Sequence, residues 1–160
     1  MNNNLQILRH STSHILANAV KNLFKDVKLG IGPATDEGFY YDFETPNRIL
    51  PEDLENIEAE MKKIAKQNQK FETFTRTRED AIKYLTEIGE KFKVEIINDL
   101  PEDIKEVSFY QNGDFVDLCK GAHVNYSSKI KHFNLLSIAG AYWRGDEKNP
   151  MLQRIYGTAF

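Results

Sequence analysis

The sequence predicts a single α+β domain over residues 1–160, with a largely antiparallel sheet and helices packed on one of its faces. Apolar residues recur at helical spacing in the first half, short β-like runs crowd the second, and the two types do not alternate as βαβ units would. A chain of 160 residues, 41% of them hydrophobic, suffices for one core and falls short of two full domains. One Trp, seven Tyr and ten Phe are too many aromatics for a disordered chain, and five Pro with nine Gly exclude a collagen-like one.

A short frayed start at Asn2, Asn3 and Asn4 precedes a first helix from about Ser11 to Lys25, where Ile15, Leu16, Ala19, Val20, Leu23 and Phe24 form one core-facing stripe. Lys28–Ile31 and Gly38–Phe43 are short β candidates, separated by a loop at Pro33–Glu37. A second helix starts at Pro51, with its stripe at Leu54, Ile57, Met61, Ile64 and Ala65. Thr77 and Asp80 resemble a capping box for a third helix that stops near Gly89. Lys91–Ile97 reads either as a strand, from the alternation of Phe92, Val94 and Ile96, or as a helical turn. Val107–Gln111, Asp114–Leu118, Phe133–Ala139, Ala141–Arg144 and Met151–Phe160 read as strands.

Composition also bounds function. With 21 Lys plus Arg against 24 Asp plus Glu, the net charge of −3 excludes binding to nucleic acid through a broad basic surface, while leaving room for a local RNA contact. The single cysteine, Cys119, cannot form an intrachain disulfide, which favours a reducing compartment. No apolar run nears the ~20 residues needed to span a bilayer, and no signal peptide opens the chain, so a cytoplasmic protein is expected.

Asn112-Gly113 between two β-like runs predicts a hairpin with a two-residue type I′ loop. That register pairs Tyr110 with Phe115 and Ser108 with Asp117, so Tyr110, Asp117 and Cys119 share one face while Val107, Phe109, Val116 and Leu118 make a core face on the other. Beyond the strand, Cys119-Lys-Gly-Ala-His123 has ligand-like spacing, with Gly121 permitting a tight bend. His10 and His14 lie on one side of the first helix, about 40° apart and roughly 150° from its apolar stripe. The resulting His-x3-His plus Cys-x3-His set suits tetrahedral zinc, and serves equally as a structural site, a catalytic site with one ligand detached, or metal-free acid/base groups. A zinc peptidase is disfavoured, because His10-Ser-Thr-Ser-His14 lacks the Glu that acts as its general base. Lys93, Lys62, Lys63, Lys66, Lys70 and the Tyr142-Trp143-Arg144 cluster have ordinary readings as solvated lysines and sheet packing.

These residues carry a resemblance. Arg9–His14, Ile31–Asp42, Asp117–His123, Ala139–Asp146 and Met151–Ala159 together resemble the editing domain of bacterial-type threonyl-tRNA synthetases and, more distantly, the related domain of alanyl-tRNA synthetases. The Gly-Phe-Tyr-Tyr-Asp and Leu-Gln-Arg-Ile-Tyr-Gly-Thr runs are the threonyl-specific part, and Ala122 stands where the family commonly has Pro. The resemblance implies that His10, His14, Cys119 and His123 line an editing pocket, with Tyr41, Lys93, Tyr110 and Asp117 around a seryl group and the terminal adenosine. It associates zinc with the four-residue set in the alanyl relatives without requiring it here, and it places no ATP site in this chain. Implied partners are the tRNA(Thr) acceptor end carrying serine and the remainder of a synthetase from which the domain is excised, or a free-standing setting.

The implied activity is proofreading: a synthetic site that holds threonine also holds serine, because one methyl is worth only ~1–3 kcal/mol, so a second site hydrolyses Ser-tRNA(Thr). In this expectation Asp117 holds the α-ammonium, Tyr41 and Tyr110 shape the pocket, and Lys93 or His10 activates water. Two alternatives stand beside it: a zinc-stabilised RNA-binding module without hydrolytic activity, and a general zinc hydrolase acting without tRNA.

Overall fold

The computed structural model describes residues 3–160. Along the chain run α1 (Asn3–Leu23), β1 (Lys28–Leu29), β2 (Phe39–Glu44), α2 (Asp53–Lys66), β3 (Phe71–Thr77), α3 (Arg78–Glu87), α4 (Lys91–Asn98), β4 (Glu106–Asn112), β5 (Phe115–Leu118), β6 (Phe133–Tyr142) and β7 (Met151–Ala159). The α+β class and the antiparallel pairing hold. The strands form two sheets instead of one, ordered β1-β2-β7-β6 and β3-β4-β5.

The main core joins Ile15, Leu16 and Val20 of α1, Phe39, Tyr41 and Phe43 of β2, Ile57, Met61 and Ile64 of α2, and Tyr110 and Phe115 from the β4–β5 hairpin. A second core lies on the hairpin's other face, where Val107 and Phe109 meet Ala81, Leu85 and Ile97 of α3 and α4. The small sheet is therefore covered on both sides. On the expected core face Val107 and Phe109 are buried and Val116 and Leu118 half-buried, while on the other face Tyr110 and Asp117 are buried as well.

Several elements differ from expectation for identifiable reasons. Asn3 and Asn4 are helical instead of frayed, while Asn2 lies outside the described residues. From Ser11 to Val20 every α1 residue is buried, not one stripe alone. The polar residues are accommodated because Ser11 and Thr12 donate to the carbonyls of Ile7 and Leu8, and the single Ser13 hydroxyl proton is shared between those of His10 and Gly32. Strand β3 carries no clean alternation and buries only Phe71, which is why its pattern is faint. Its last residue, Thr77, caps α3 by accepting from the Asp80 amide at 3.2 Å, as the capping signature predicts.

Lys91–Ile97 resolves as helix, burying Phe92, Lys93 and Ile97. Ala141 and Tyr142 continue β6, and a short 3-10 turn at Trp143–Gly145 replaces the separate strand. Trp143 is buried against Phe92 and Leu152, whereas Arg144, at φ 58°, pairs with Asp99. Lys70 lies past the end of α2, so only the other three lysines share that helix.

The hairpin register also shifts. Asn112 pairs with Phe115 and Tyr110 with Asp117, so the loop is Gly113-Asp114 and only Gly113 has positive φ. A glycine in the first central position suits a type II′ turn. Each strand moves by one residue in opposite senses relative to the loop, which preserves which residues share a face.

Candidate functional site

Five segments deliver the chemistry to one place. α1 supplies His10 and His14, the hairpin supplies Tyr110, Asp117 and Cys119, the loop after β5 supplies His123, and β2 and α4 supply Tyr41 and Lys93. The ligand-type atoms of His10, His14, Cys119 and His123 all lie within 4.8 Å of one another. Nε2 of His10 is 3.2 Å from Nε2 of His14 and 3.2 Å from Sγ of Cys119, which is 3.4 Å from Nε2 of His123. The tether from α1 to the His123 loop is Ser11, whose Oγ accepts from the Val124 amide at 3.0 Å.

This donor set fits a zinc ion. Two nitrogens bound at about 2.0 Å in a tetrahedron stand about 3.3 Å apart, close to the 3.2 Å between His10 Nε2 and His14 Nε2. His14 Nδ1 lies 3.1 Å from Asp117 Oδ2, the carboxylate backing that orients metal-binding imidazoles. Four protein ligands make a closed set, the structural type, with no position left for water.

Beside the cluster, a buried charge network links Asp117, Tyr41 and Lys93. Tyr41 donates to Asp117 Oδ2 at 2.5 Å, Lys93 Nζ stands 3.2 Å from Oδ1, and Nζ also donates to the Tyr41 hydroxyl at 3.0 Å. Burial pushes the Asp117 carboxyl up, but Lys93, His14 and Tyr41 outweigh it and hold it well below the usual carboxylate range. Burial first, and Asp117 second, raise the Tyr41 hydroxyl well above its ordinary value. Desolvation lowers His10 to about 4 and His123 to about 3, with the neighbouring imidazoles adding to it, and it lowers His14 as well. Burial, then Asp117, pushes the Cys119 thiol up to about 12. Near neutral pH, without metal, the cluster is three neutral imidazoles and a protonated thiol.

A cavity of about 570 Å³ opens onto this array. His10, His14, Tyr41, Lys93 and Cys119 reach its wall, and Ile96, Leu100, Ile104 and Leu118 make an apolar side. Tyr110, Asp117 and His123 stand behind that wall. Tyr110 stacks on His123 with ring centroids 4.6 Å apart, and among the described residues its buried hydroxyl has no hydrogen-bond partner. Glu106, Ser108 and Lys120 also line the cavity. Sequence reasoning missed them, although Glu106 and Ser108 lie on the strand face already assigned to Tyr110 and were the available signal.

A family model described as the threonyl and alanyl tRNA synthetase second additional domain matches residues 107–156. Threonine-tRNA ligase of Clostridium botulinum (strain Kyoto) is 62% identical over 153 residues, covering 96% of this chain and 24% of the relative. The same-named proteins of Acetivibrio thermocellus and Anoxybacillus flavithermus are 60% and 58% identical, covering 95% and 98% of this chain. Residues 107–156 match that second additional domain, and the chain as a whole is similar to one part of these ligases. It spans 24% of the length of these curated relatives.

The matched stretch carries Tyr110, Asp117, Cys119 and His123, while α1 and α4 bring His10, His14 and Lys93 from outside it. Gly121 serves the site differently from expectation. Its φ is not positive; instead, a Cβ there would lie 2.7 Å from Cε1 of His10. Gly121→Ala is therefore expected to push the His10 ring off Cys119 and lower any activity that uses it by at least tenfold. Its cost in stability should stay within the ~1–3 kcal/mol of overpacking. Activity and urea unfolding measured on the same variant check this, and equal activity would refute the close-approach account. Among the described residues no helix is long and apolar enough to cross a membrane.

Proposed function

We propose that this domain hydrolyses the ester of Ser-tRNA(Thr), releasing serine and tRNA(Thr), as the editing domain of a threonyl-tRNA synthetase. The observation that carries this reading is the neutral histidine cluster and the Lys93 ammonium meeting on the wall of one cavity. Neutral His10 takes a proton from water, whose oxygen attacks the ester carbonyl. Lys93 keeps two N–H groups on Asp117 and Tyr41 and turns its third to the developing oxyanion. The proton then passes to the departing ribose oxygen. Tyr41 bounds the cavity, while Tyr110 supports it from behind by packing against His14 and stacking on His123. Asp117, 2% exposed and already accepting three donors, fixes Lys93 and the His14 ring.

The test compares deacylation of Ser-tRNA(Thr) and Thr-tRNA(Thr) by this chain, with and without chelator. Serine should be released faster than threonine, His10→Ala should slow release about a hundredfold or more, and chelator should leave the rate in place. Equal rates for wild type and His10→Ala would end the assignment.

A second reading draws on the clustering of the four donors within 4.8 Å of one another: a zinc-stabilised RNA-binding module. Zinc held by His10, His14, Cys119 and His123 would supply cross-linking of α1 to the His123 loop, and its removal would then unfold the domain. A melting temperature that drops with chelator, together with no deacylation, favours that reading.

A further inference from the structure

Three charged side chains reach the main cavity: Lys93, Glu106 and Lys120. Lys93 is committed to Asp117 and Tyr41. Among the described residues, Glu106 and Lys120 have no ion pair or side-chain hydrogen bond. Their placement follows from the hairpin. Ser108 is bound across the ladder to Cys119, by Cys119 N to Ser108 O at 3.0 Å and Ser108 Oγ to Cys119 O at 2.7 Å. Glu106 lies two residues along β4 on the same face, about 7 Å further on. Lys120 follows Cys119 and stands where the main cavity meets a second one of about 370 Å³, the two sharing His10, Pro33 and Lys120. One free negative charge thus belongs to the main cavity alone, and one free positive charge marks its junction with the other.

An aminoacyl nucleotide has a cation at one end, the α-ammonium, and an anion beyond the ribose at the other, with the ester between them. We propose that Glu106 and Lys120 fix the direction in which such a molecule lies: Glu106 takes the α-ammonium, and Lys120 takes the phosphodiester on the 5′ side of the terminal ribose. The reverse direction would set ammonium against Lys120 and phosphate against Glu106. The other carboxylate of the site, Asp117, is behind the wall and already answered by Lys93. This proposal rests on the seryl-ester reading above, and supplies the polarity which that reading leaves open.

The test reads binding, so it does not depend on turnover. Non-hydrolysable 3′-amide analogues are titrated against the wild-type chain, Glu106→Gln and Lys120→Gln. The four probes are seryl-adenosine, N-acetylseryl-adenosine, and the same two built on cytidylyl-adenosine. Both sites are exposed, so the variants should fold, and the effects should be those of exposed charge pairs, about two- to fivefold in Kd. Glu106→Gln should weaken the seryl probes and not the N-acetylseryl ones. Lys120→Gln should weaken the cytidylyl-adenosine probes and not the adenosine ones. Penalties that ignore the probe, penalties that are exchanged, or no binding at all would overturn the proposal. Probe-dependent binding without hydrolysis of Ser-tRNA(Thr) would uphold the polarity while removing the catalytic reading.

Discussion

Lys93→Met is expected to abolish most deacylation of Ser-tRNA(Thr) and to destabilise the domain by about 3–5 kcal/mol, the usual penalty for leaving one member of a buried ion pair alone. Both effects come from one arrangement. Asp117 is 2% exposed, and Lys93, 4% exposed, is the cation that keeps its carboxylate ionised. Without the ammonium, Asp117 must either remain charged in a poorly solvating interior or take up a proton and weaken its bonds to His14 and Tyr41. Against a typical domain stability of about 5–15 kcal/mol, that is a large share.

The double variant Lys93→Met with Asp117→Asn separates the two roles. Removing both charges should recover most of the lost stability, because a buried pair replaced as a pair is often neutral. Activity should stay lost, because the oxyanion still lacks its cation. Urea unfolding and single-turnover deacylation of the four proteins in this cycle measure the coupling. Recovery of activity along with stability would show Lys93 to be structural only.

The site's face was legible because strand periodicity survives an error of register. The expected loop was wrong by one residue on each strand, yet Tyr110, Asp117 and Cys119 still fell on one side. Helical spacing likewise placed His10 and His14 together. What stayed illegible depended on tertiary partners. The polar side of α1 reads as solvent-facing; its hydroxyls turn back on the helix's own carbonyls, and it is Gly32 and Val124, from distant loops, that complete the bonds of Ser13 and Ser11 inside the core. Lys93 reads as a solvated lysine because nothing local shows that Tyr41 and Asp117, 52 residues before and 24 after it, close around its ammonium. β3 escaped notice because an edge strand with one buried residue has little pattern to display.

Acid should uncouple this domain well above the pH at which carboxylates titrate. His10 and His123 are lowered from 6.5 to about 4 and about 3, and His14 is lowered too, chiefly by desolvation. Between pH 6.5 and about 4 the unfolded chain therefore binds protons that the folded chain refuses, so stability falls as pH falls. Each histidine kept fully neutral contributes at most about 1.4 kcal/mol per pH unit over that window. Asp117 works in a different range: its depressed carboxyl adds stability above the unfolded value near 3.9, and that stability is lost only below it. Urea unfolding from pH 7.5 to 4.5 in the presence of chelator, so that no metal competes with protons, should show the decline. His123→Asn should flatten it by about one histidine. The same depression predicts that the acid limb of kcat/KM for Ser-tRNA(Thr) lies near pH 4, far below an ordinary imidazole, if His10 accepts the proton. A limb near 6.5, or stability flat down to pH 4.5, would mean that these imidazoles are solvated in solution and that the cluster is not the closed array described above.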